Sequence, residues 1–471
     1  MARNPSGKNP VKVLLLVLIV LMIAATGLMI YLCIDLADSA PAPTQPPAQP
    51  GIVVPTQPET QPPETTPPPP PDPESVVSTA TVGAMGDLMM HMPTINAHKQ
   101  SDGSYNFDPI FQYMEPYLSP MDYTVANLET TLAGTAKPYN GYPMFNCPDE
   151  LATAAANAGF DGLLTANNHC FDTQMGGFLR TLEVVRAAGL DTMGTMASGE
   201  EPKYLIKDVG GIQIGMLAFT YETSNGGGSY PSLNNNPMYG GSYDLINCFV
   251  PSAPQRFYDQ VAQYLEQMKQ AGAEATVMFI HWGTEYQTSA SENQRTIAQK
   301  LCDLGIDVII GSHPHVVQPV ELLTSTTDPS HSTVCLYSLG NAVSNQRKQF
   351  MDMKTGHTED GVLFSVTFEK YSDGQVYLRS AQALPTWVNM FTFPEGKQYN
   401  VVPLDMEKQD QWKDLFRLDD STASQAEESY QRTQEIIGTG MEQVQQHLDQ
   451  AKIDREQHYL DLALASVSSP S

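Results

Sequence analysis

Residues 306–315 read Ile306-Asp307-Val308-Ile309-Ile310-Gly311-Ser312-His313-Pro314-His315. The apolar run up to Ile310 predicts a buried strand. Two histidines then stand two residues apart just past its end. Pro314 between them blocks a helix and stiffens the backbone. Two imidazoles held at that spacing suit a transition-metal site, because neutral histidine is the commonest nitrogen ligand. Taken alone, the stretch is equally readable as a turn that happens to carry two histidines. Other strand ends decide the matter, if they supply the remaining ligands.

Upstream, strands are expected at 81–86, 122–126, 160–165, 212–220 and 275–280. Helices are expected at 107–118, 149–158, 176–188, 255–270 and 291–304, most of them stopped by glycine. This alternation predicts an α/β domain that begins near Val76. Downstream, 334–338 and the alternating segments 361–369 and 375–383 read as antiparallel strands of a second sheet.

Ligand sites in open α/β sheets form outside the carboxyl ends of strands. Five such ends carry donors here: Asp87 with His91, Glu129, Asn168 with His169, His281, and His313 with His315. They hold five of the ten histidines. Capping explains one histidine at a strand end better than it explains donors at five. Carboxylates, imidazoles and one amide oxygen without a thiolate suit Mn, Fe or Zn and argue against a structural zinc knot. The donors suffice for one divalent ion, or for two sharing a carboxylate, an arrangement that fits hydrolysis at phosphorus.

The formal charge of −27, from 25 basic and 52 acidic residues, is a poor match to DNA or RNA, so no nucleic-acid partner is expected. The six cysteines include no C-x-x-C pair and imply no disulfide framework. Residues 13–34 are uncharged, and a membrane-spanning helix needs about 20 such residues. Arg3, Lys8 and Lys12 precede them, while Asp35 and Asp38 follow. The positive-inside rule then makes 1–12 cytoplasmic, 13–34 a single-pass transmembrane anchor in the cell membrane, and the rest extracellular. A cleaved signal peptide is the rival reading, but its apolar region is ordinarily shorter. The 35–75 segment is a proline-rich linker; 15 of the 36 prolines fall in 41–73. At about 3.1 Å per residue it reaches on the order of 100 Å. A domain over 76–405 follows. Residues 406–471 form an acidic, Gln-rich extension with Ile437, Met441, Val444 and Leu448 at helical spacing. That spacing predicts an amphipathic helix, with a loosely ordered tail as the alternative.

Six motifs occur in order: Met85-Gly86-Asp87-Leu88-Met89-Met90-His91, Ala126-Asn127-Leu128-Glu129, Asn167-Asn168-His169-Cys170-Phe171-Asp172, His281-Trp282-Gly283-Thr284-Glu285-Tyr286, Gly311-Ser312-His313-Pro314-His315 and Ser338-Leu339-Gly340-Asn341. Over residues 79–345 the chain resembles the CapA family, associated with poly-γ-glutamate capsule synthesis in bacteria, within the calcineurin-like metallophosphoesterase superfamily. The resemblance implies a metallophosphatase-like sandwich of two mixed β-sheets flanked by helices. It implies that Asp87 and His91 hold a first metal, that Glu129 bridges where the superfamily has Asp, and that Asn168 and His281 hold a second metal. His313 and His315 are then split between the two ions. His169 becomes the general acid or a group stabilising the transferred phosphoryl. Asn127, Asp172 and Glu285 become supporting residues around the ligands. Three positions depart from the superfamily pattern: three residues, not one, separate Asp87 from His91, Glu replaces Asp at 129, and Cys170 follows the Asn-His pair where Asp is common.

Two functions follow from the resemblance. One is an extracellular metal-dependent phosphoesterase or related hydrolase acting on capsule or envelope polymers. The other is a non-catalytic, metal-dependent binding or scaffold subunit of a capsule-polymer synthesis or export complex. The implied partners are the cell membrane, polyglutamate synthase or export subunits, and an anionic polymer or phosphoester substrate.

Overall fold

The computed structural model describes residues 75–223, 230–393 and 396–468. The expected cytoplasmic segment, membrane anchor and all but the last residue of the proline-rich linker lie outside these residues. No helix among the described residues is long and apolar enough to cross a membrane.

Strands are numbered along the chain. In one sheet, β1 (Val76–Leu88), β2 (Tyr123–Asn127), β3 (Gly162–Leu164) and β4 (Asp191–Met193) run parallel. On the far side of β1, the strands β15 (Asp360–Tyr371), β16 (Val376–Phe393) and β17 (Gly396–Pro403) continue it antiparallel. The short β14 (Asn341–Val343) pairs with the end of β1. In the other sheet, β6 (Ile212–Tyr221), β10 (Ala275–His281), β11 (Val308–Ser312) and β13 (Ser332–Leu336) are parallel. The strands β5 (Leu205–Val209) and β12 (Val320–Thr324) close its edges antiparallel, and β9 (Cys248–Phe249) extends the end of β6. A separate ribbon pairs β7 (Ser232–Leu233) with β8 (Asn236–Pro237).

Side-chain alternation builds the layers. Val82, Ala84, Ile214, Met216, Val277, Phe279, Val308 and Ile310 meet in one cluster between the sheets. Their neighbours Met278, Ile280 and Ile309 face outward onto Phe257, Val261, Ile297 and Leu301 of the helices Gln255–Gln270 and Glu292–Asp303. Met85, Ala126 and Leu163 do the same toward Leu151, Ala155 and Val185 of Glu150–Ala158 and Gln174–Ala187. A strand buried on both faces needs a continuous apolar run, which is why Val308–Ile310 lacks polar alternation. The architecture is the expected sandwich of two mixed sheets flanked by helices. The five described cysteines are buried and unpaired.

Three expectations are corrected. The helix expected at 107–118 is two single turns, Asp108–Phe111 and Glu115–Leu118, each with a proline in its first turn. Proline can begin a helical turn but cannot be spanned by one. Segments 361–369 and 375–383 are antiparallel strands, yet they extend the sheet of β1 rather than forming a second one. Segment 334–338 contributes β13, which runs parallel to β11 in the opposite sheet.

The C-terminal extension is ordered as the 49-residue helix Asp420–Ser468. Ile437, Val444 and Leu448 are buried in the cluster between the sheets, with Met441 partly buried beside them. A Cβ on Gly440 would lie 1.9 Å from the Val320 carbonyl oxygen, so only glycine lets the helix approach β12 this closely.

Candidate metal centre

Parallel strands bring their carboxyl ends to one edge, and the two sheets bring those edges together. Asp87 is the next-to-last residue of β1, Asn127 ends β2, Asn168 follows β3, His281 ends β10, and His313 follows β11. All are buried. Gly311 makes the last loop possible, since a Cβ there would meet the Tyr337 carbonyl oxygen at 1.9 Å and Trp282 Nε1 at 2.5 Å.

Asp87 Oδ1 accepts from Asn127 Nδ2 at 2.8 Å, and its Oδ2 lies 2.9 Å from His315 Nδ1. Glu129 Oε2 lies 3.4 Å from Asn127 Nδ2 and 3.9 Å from His315 Nδ1. Glu129 Oε1 lies 3.5 Å from His281 Nε2 and has no hydrogen-bond partner. His281 Nε2 is 2.8 Å from Asn168 Oδ1, and its Nδ1 is 2.9 Å from Ser312 Oγ. His313 Nε2 is 3.2 Å from the Tyr221 hydroxyl, while its Nδ1 is buried without a partner. Three groups of donor atoms converge to within 4.8 Å: Glu129 with His281 and His313; Asp87 with Glu129 and His315; and Glu285 with His313 and His315. Glu129 belongs to two of them. Glu285, expected as a support, is exposed and has a carboxylate oxygen within 4.8 Å of donor atoms on both histidines of the loop.

That loop is strained. His313 has φ 100° and His315 φ 57°, both in the left-handed region that non-glycine residues avoid. The Tyr286 N–H donates to the Pro314 carbonyl at 2.7 Å and Asn341 Nδ2 to the His315 carbonyl at 3.2 Å. These bonds hold the loop from outside.

The electrostatics suit a cation. Burial, then the neighbouring Asp87 carboxylate, pushes the Glu129 carboxyl well above its ordinary range. Burial, then neighbouring imidazoles, pushes His281 and His313 well below theirs, which favours the neutral form that ligates metals. Among the described residues no lysine or arginine pairs with Asp87 or Glu129. Two buried carboxylates, neutral imidazoles and two orphaned acceptor or donor atoms form a cluster suited to a divalent metal ion.

His169 stands beside this cluster. Its Nδ1 is 2.7 Å from Asp172 Oδ2, which also accepts from the Phe145 N–H at 2.7 Å. The Phe145 ring contacts His169 edge-on on one side and His91 on the other. The structure does not bring His91 into any of the converging groups. Because β1 ends at Leu88, His91 becomes the residue before the helix Met92–Ala97. Its Nδ1 lies 3.3 Å from both the Met89 carbonyl and the Asn345 N–H. Burial lowers its pKa to about 4. Asn127 is more central than a supporting residue, touching Asp87, Glu129 and, at 3.4 Å, His281 Nδ1.

Three residues at the site were not singled out from the sequence. Tyr221 directly follows the strand expected at 212–220, so the strand-end rule points to it once phenols are admitted as donors. Ser312 lies inside the opening stretch. Asn234, whose amide reaches Asp172 at 2.9 Å, sits on the β7–β8 ribbon with no local signal.

The family model for the bacterial capsule synthesis protein PGA_cap matches residues 81–346. The PGA biosynthesis protein CapA of Bacillus subtilis (strain 168) is 29% identical over 266 residues, covering 56% of this chain and 62% of that protein. The capsule biosynthesis protein CapA of Bacillus anthracis is 28% identical over 275 residues, covering 56% of this chain and 60% of that protein. The chain thus spans about three fifths of the length of the curated relatives it matches. The matched segment takes in more than half of the chain and every donor described above, and on that ground the chain belongs to the bacterial capsule synthesis protein family PGA_cap.

Proposed function

We propose that this CapA-like protein acts in capsule or cell-envelope polymer synthesis, with poly-γ-glutamate the polymer class, as a metal-dependent hydrolase of a phosphoester or related bond. In this reading the domain works outside the cell, tethered by residues 13–34. The observation that carries the proposal is Glu129. One buried carboxylate belongs to two converging donor groups and leaves an oxygen without a partner. One or two divalent ions, Mn, Fe or Zn by the donor chemistry, would supply Lewis acidity and an activated water at neutral pH.

The chain's residues divide the remaining work. Asp87 and His315 would hold one ion, Asn168, His281 and His313 the other, with Glu129 between them. Asn127 fixes the Asp87 carboxylate by its 2.8 Å bond. Ser312, at Nδ1 of His281, leaves Nε2 facing Glu129 and Asn168. Asp172 Oδ2 accepts a hydrogen bond from the Nδ1–H of His169, which leaves Nε2 as the nitrogen from which a proton would pass to the leaving oxygen. Glu285 stands at the exposed rim.

The test uses the full chain in detergent, with metal content and turnover of aryl phosphate mono- and diesters measured together. Glu129→Gln and His313→Ala are expected to lose bound metal and turnover alike. A folded, metal-loaded wild type that hydrolyses neither ester with Mn, Fe or Zn would sink the hydrolytic reading.

The names of both relatives speak of biosynthesis, which favours a second reading. There the same site binds an anionic polymer as a non-catalytic subunit beside polyglutamate synthase or export subunits. Polymer binding would then vanish with chelator, with no ester turnover.

A further inference from the structure

We infer that Asn234 is a positioning residue: from the tip of the β7–β8 hairpin its side-chain amide clamps Asp172 and thereby holds the His169 ring in the orientation that proton transfer needs. The inference rests on the reading of His169 as the proton donor. Asn234 and Asn235 have φ of 46° and 59°, so both central residues of this two-residue hairpin loop are left-handed. Such a turn is built most cheaply with Asn or Gly. Its backbone therefore does not require the amide that Asn234 carries.

That amide is fully used. Nδ2 donates to Asp172 Oδ1 at 2.9 Å and to the Pro143 carbonyl at 2.8 Å, and it lies 3.1 Å from His169 Nδ1. An amide nitrogen has two hydrogens, and these two acceptors take both. The His169 Nδ1 proton goes to the other oxygen, Oδ2, at 2.7 Å, where the Phe145 N–H also donates at 2.7 Å. On Oδ1 the next nearest donor is Asn236 Nδ2 at 3.4 Å. Asn234 is thus the group that stops the carboxylate from pivoting away from the imidazole. A carboxylate pinned at both oxygens fixes the ring it faces, as outer partners of functional histidines do.

The hairpin is itself rigid enough to bear this role. The Thr223 N–H donates to the Ser232 carbonyl at 2.9 Å, and Ser232 Oγ returns a bond to the Thr223 carbonyl at 2.8 Å. Leu233 and Met238 are buried against Phe171 and Phe178, which belong to the loop and helix that follow His169.

Asn234→Gly keeps the left-handed turn and removes only the amide. Asn235→Gly relaxes the adjacent position, whose contact is a backbone bond to Thr223 Oγ1. In the metal-loaded full chain, Asn234→Gly is expected to lower kcat on an aryl phosphodiester about tenfold, with KM and metal content unchanged. Asn235→Gly is expected to keep the wild-type kcat. With histidines labelled by nitrogen-15, the downfield Nδ1 proton of His169, assigned by its loss in His169→Gln, should move upfield in Asn234→Gly alone. An unchanged kcat in Asn234→Gly, an equal fall in Asn235→Gly, or loss of metal overturns the inference while leaving the hydrolytic reading standing. If the wild type turns over no ester, that reading fails by itself and the resonance decides: unmoved in Asn234→Gly, it overturns the inference; moved, it upholds the clamp.

Discussion

Two regions of the molecule bury carboxylates in opposite ways. At the strand ends, Asp87 and Glu129 lie side by side with histidines and an asparagine but with no guanidinium or ammonium partner among the described residues. Where the C-terminal helix crosses β15, Asp360 is equally buried, yet Arg432 meets it with two bonds of 2.7 and 2.9 Å and Ser429 adds a third of 2.6 Å. Desolvation is costly for each carboxylate. At Asp360 the chain supplies the compensating charge itself; at Asp87 and Glu129 no side-chain cation among the described residues does so, and the cluster could hold a metal ion instead. The difference teaches which of the two is structural. A self-neutralised pair fixes a helix, whereas an uncompensated pair beside neutral imidazoles has the make-up of a cation site.

The largest effect should come from unbalancing the self-sufficient pair. Arg432→Ala strands a buried carboxylate and is expected to cost about 3–5 kcal/mol of stability, read by denaturant unfolding, with bound metal per chain unchanged. Metal lost in a folded Arg432→Ala protein would break the contrast, because the two centres would then be one. Next in size is Glu129→Gln, whose effect reverses sign with the ion. In chelator-treated protein it relieves the burial of an ionisable group beside the Asp87 carboxylate and is expected to raise stability, read as a higher melting temperature. In metal-loaded protein it should lower the melting temperature. A loss of stability in both states would mean that Glu129 is already compensated within the chain.

A third mode of burial, a neutral histidine satisfied by backbone, makes itself felt only as the pH falls. His98 Nδ1 lies 3.1 Å from the Asn106 carbonyl, and the Tyr399 N–H donates to Nε2 at 3.3 Å. Burial foremost lowers its pKa to about 4. The unfolded chain binds this proton below about pH 6.5 and the folded chain does not until about pH 4. Stability is therefore fully present above pH 6.5 and is lost as pH falls through that window. Melting of the chelated protein followed from pH 7 to 4.5 should show the decline, and His98→Gln should flatten part of it.

Much of this contrast was legible before the fold was known. The strand-end rule found Asp87, Glu129, Asn168, His281, His313 and His315 because parallel strands put their ends together wherever the sheets lie. It could not exclude His91, since the irregular residues after Leu88 carry it to the start of the helix Met92–Ala97, and that path is not set by the strand-end pattern. Residues 107–118 misled through apolar periodicity, which two prolines override. The sheet to which 361–383 belongs was out of reach because pairing partners are chosen across the chain. The spacing of Ile437, Met441, Val444 and Leu448 was a true helical signal. Its docking on the core depends on Gly440 approaching Val320 and on Arg432 meeting Asp360, long-range matches that no window of sequence contains.

The two left-handed histidines have a consequence for descent. A backbone at φ 100° or 57° is most comfortable as glycine, and holding a side chain there costs about 1 kcal/mol or more per residue. A lineage that keeps histidine at 313 and 315 resists a standing drift toward glycine, and on the proposed reading the use of the imidazoles sustains that resistance. On that reading, relatives whose site has lost its ion should show it first at these two positions, as His→Gly or His→Asn changes, while the buried strand before Gly311 stays intact.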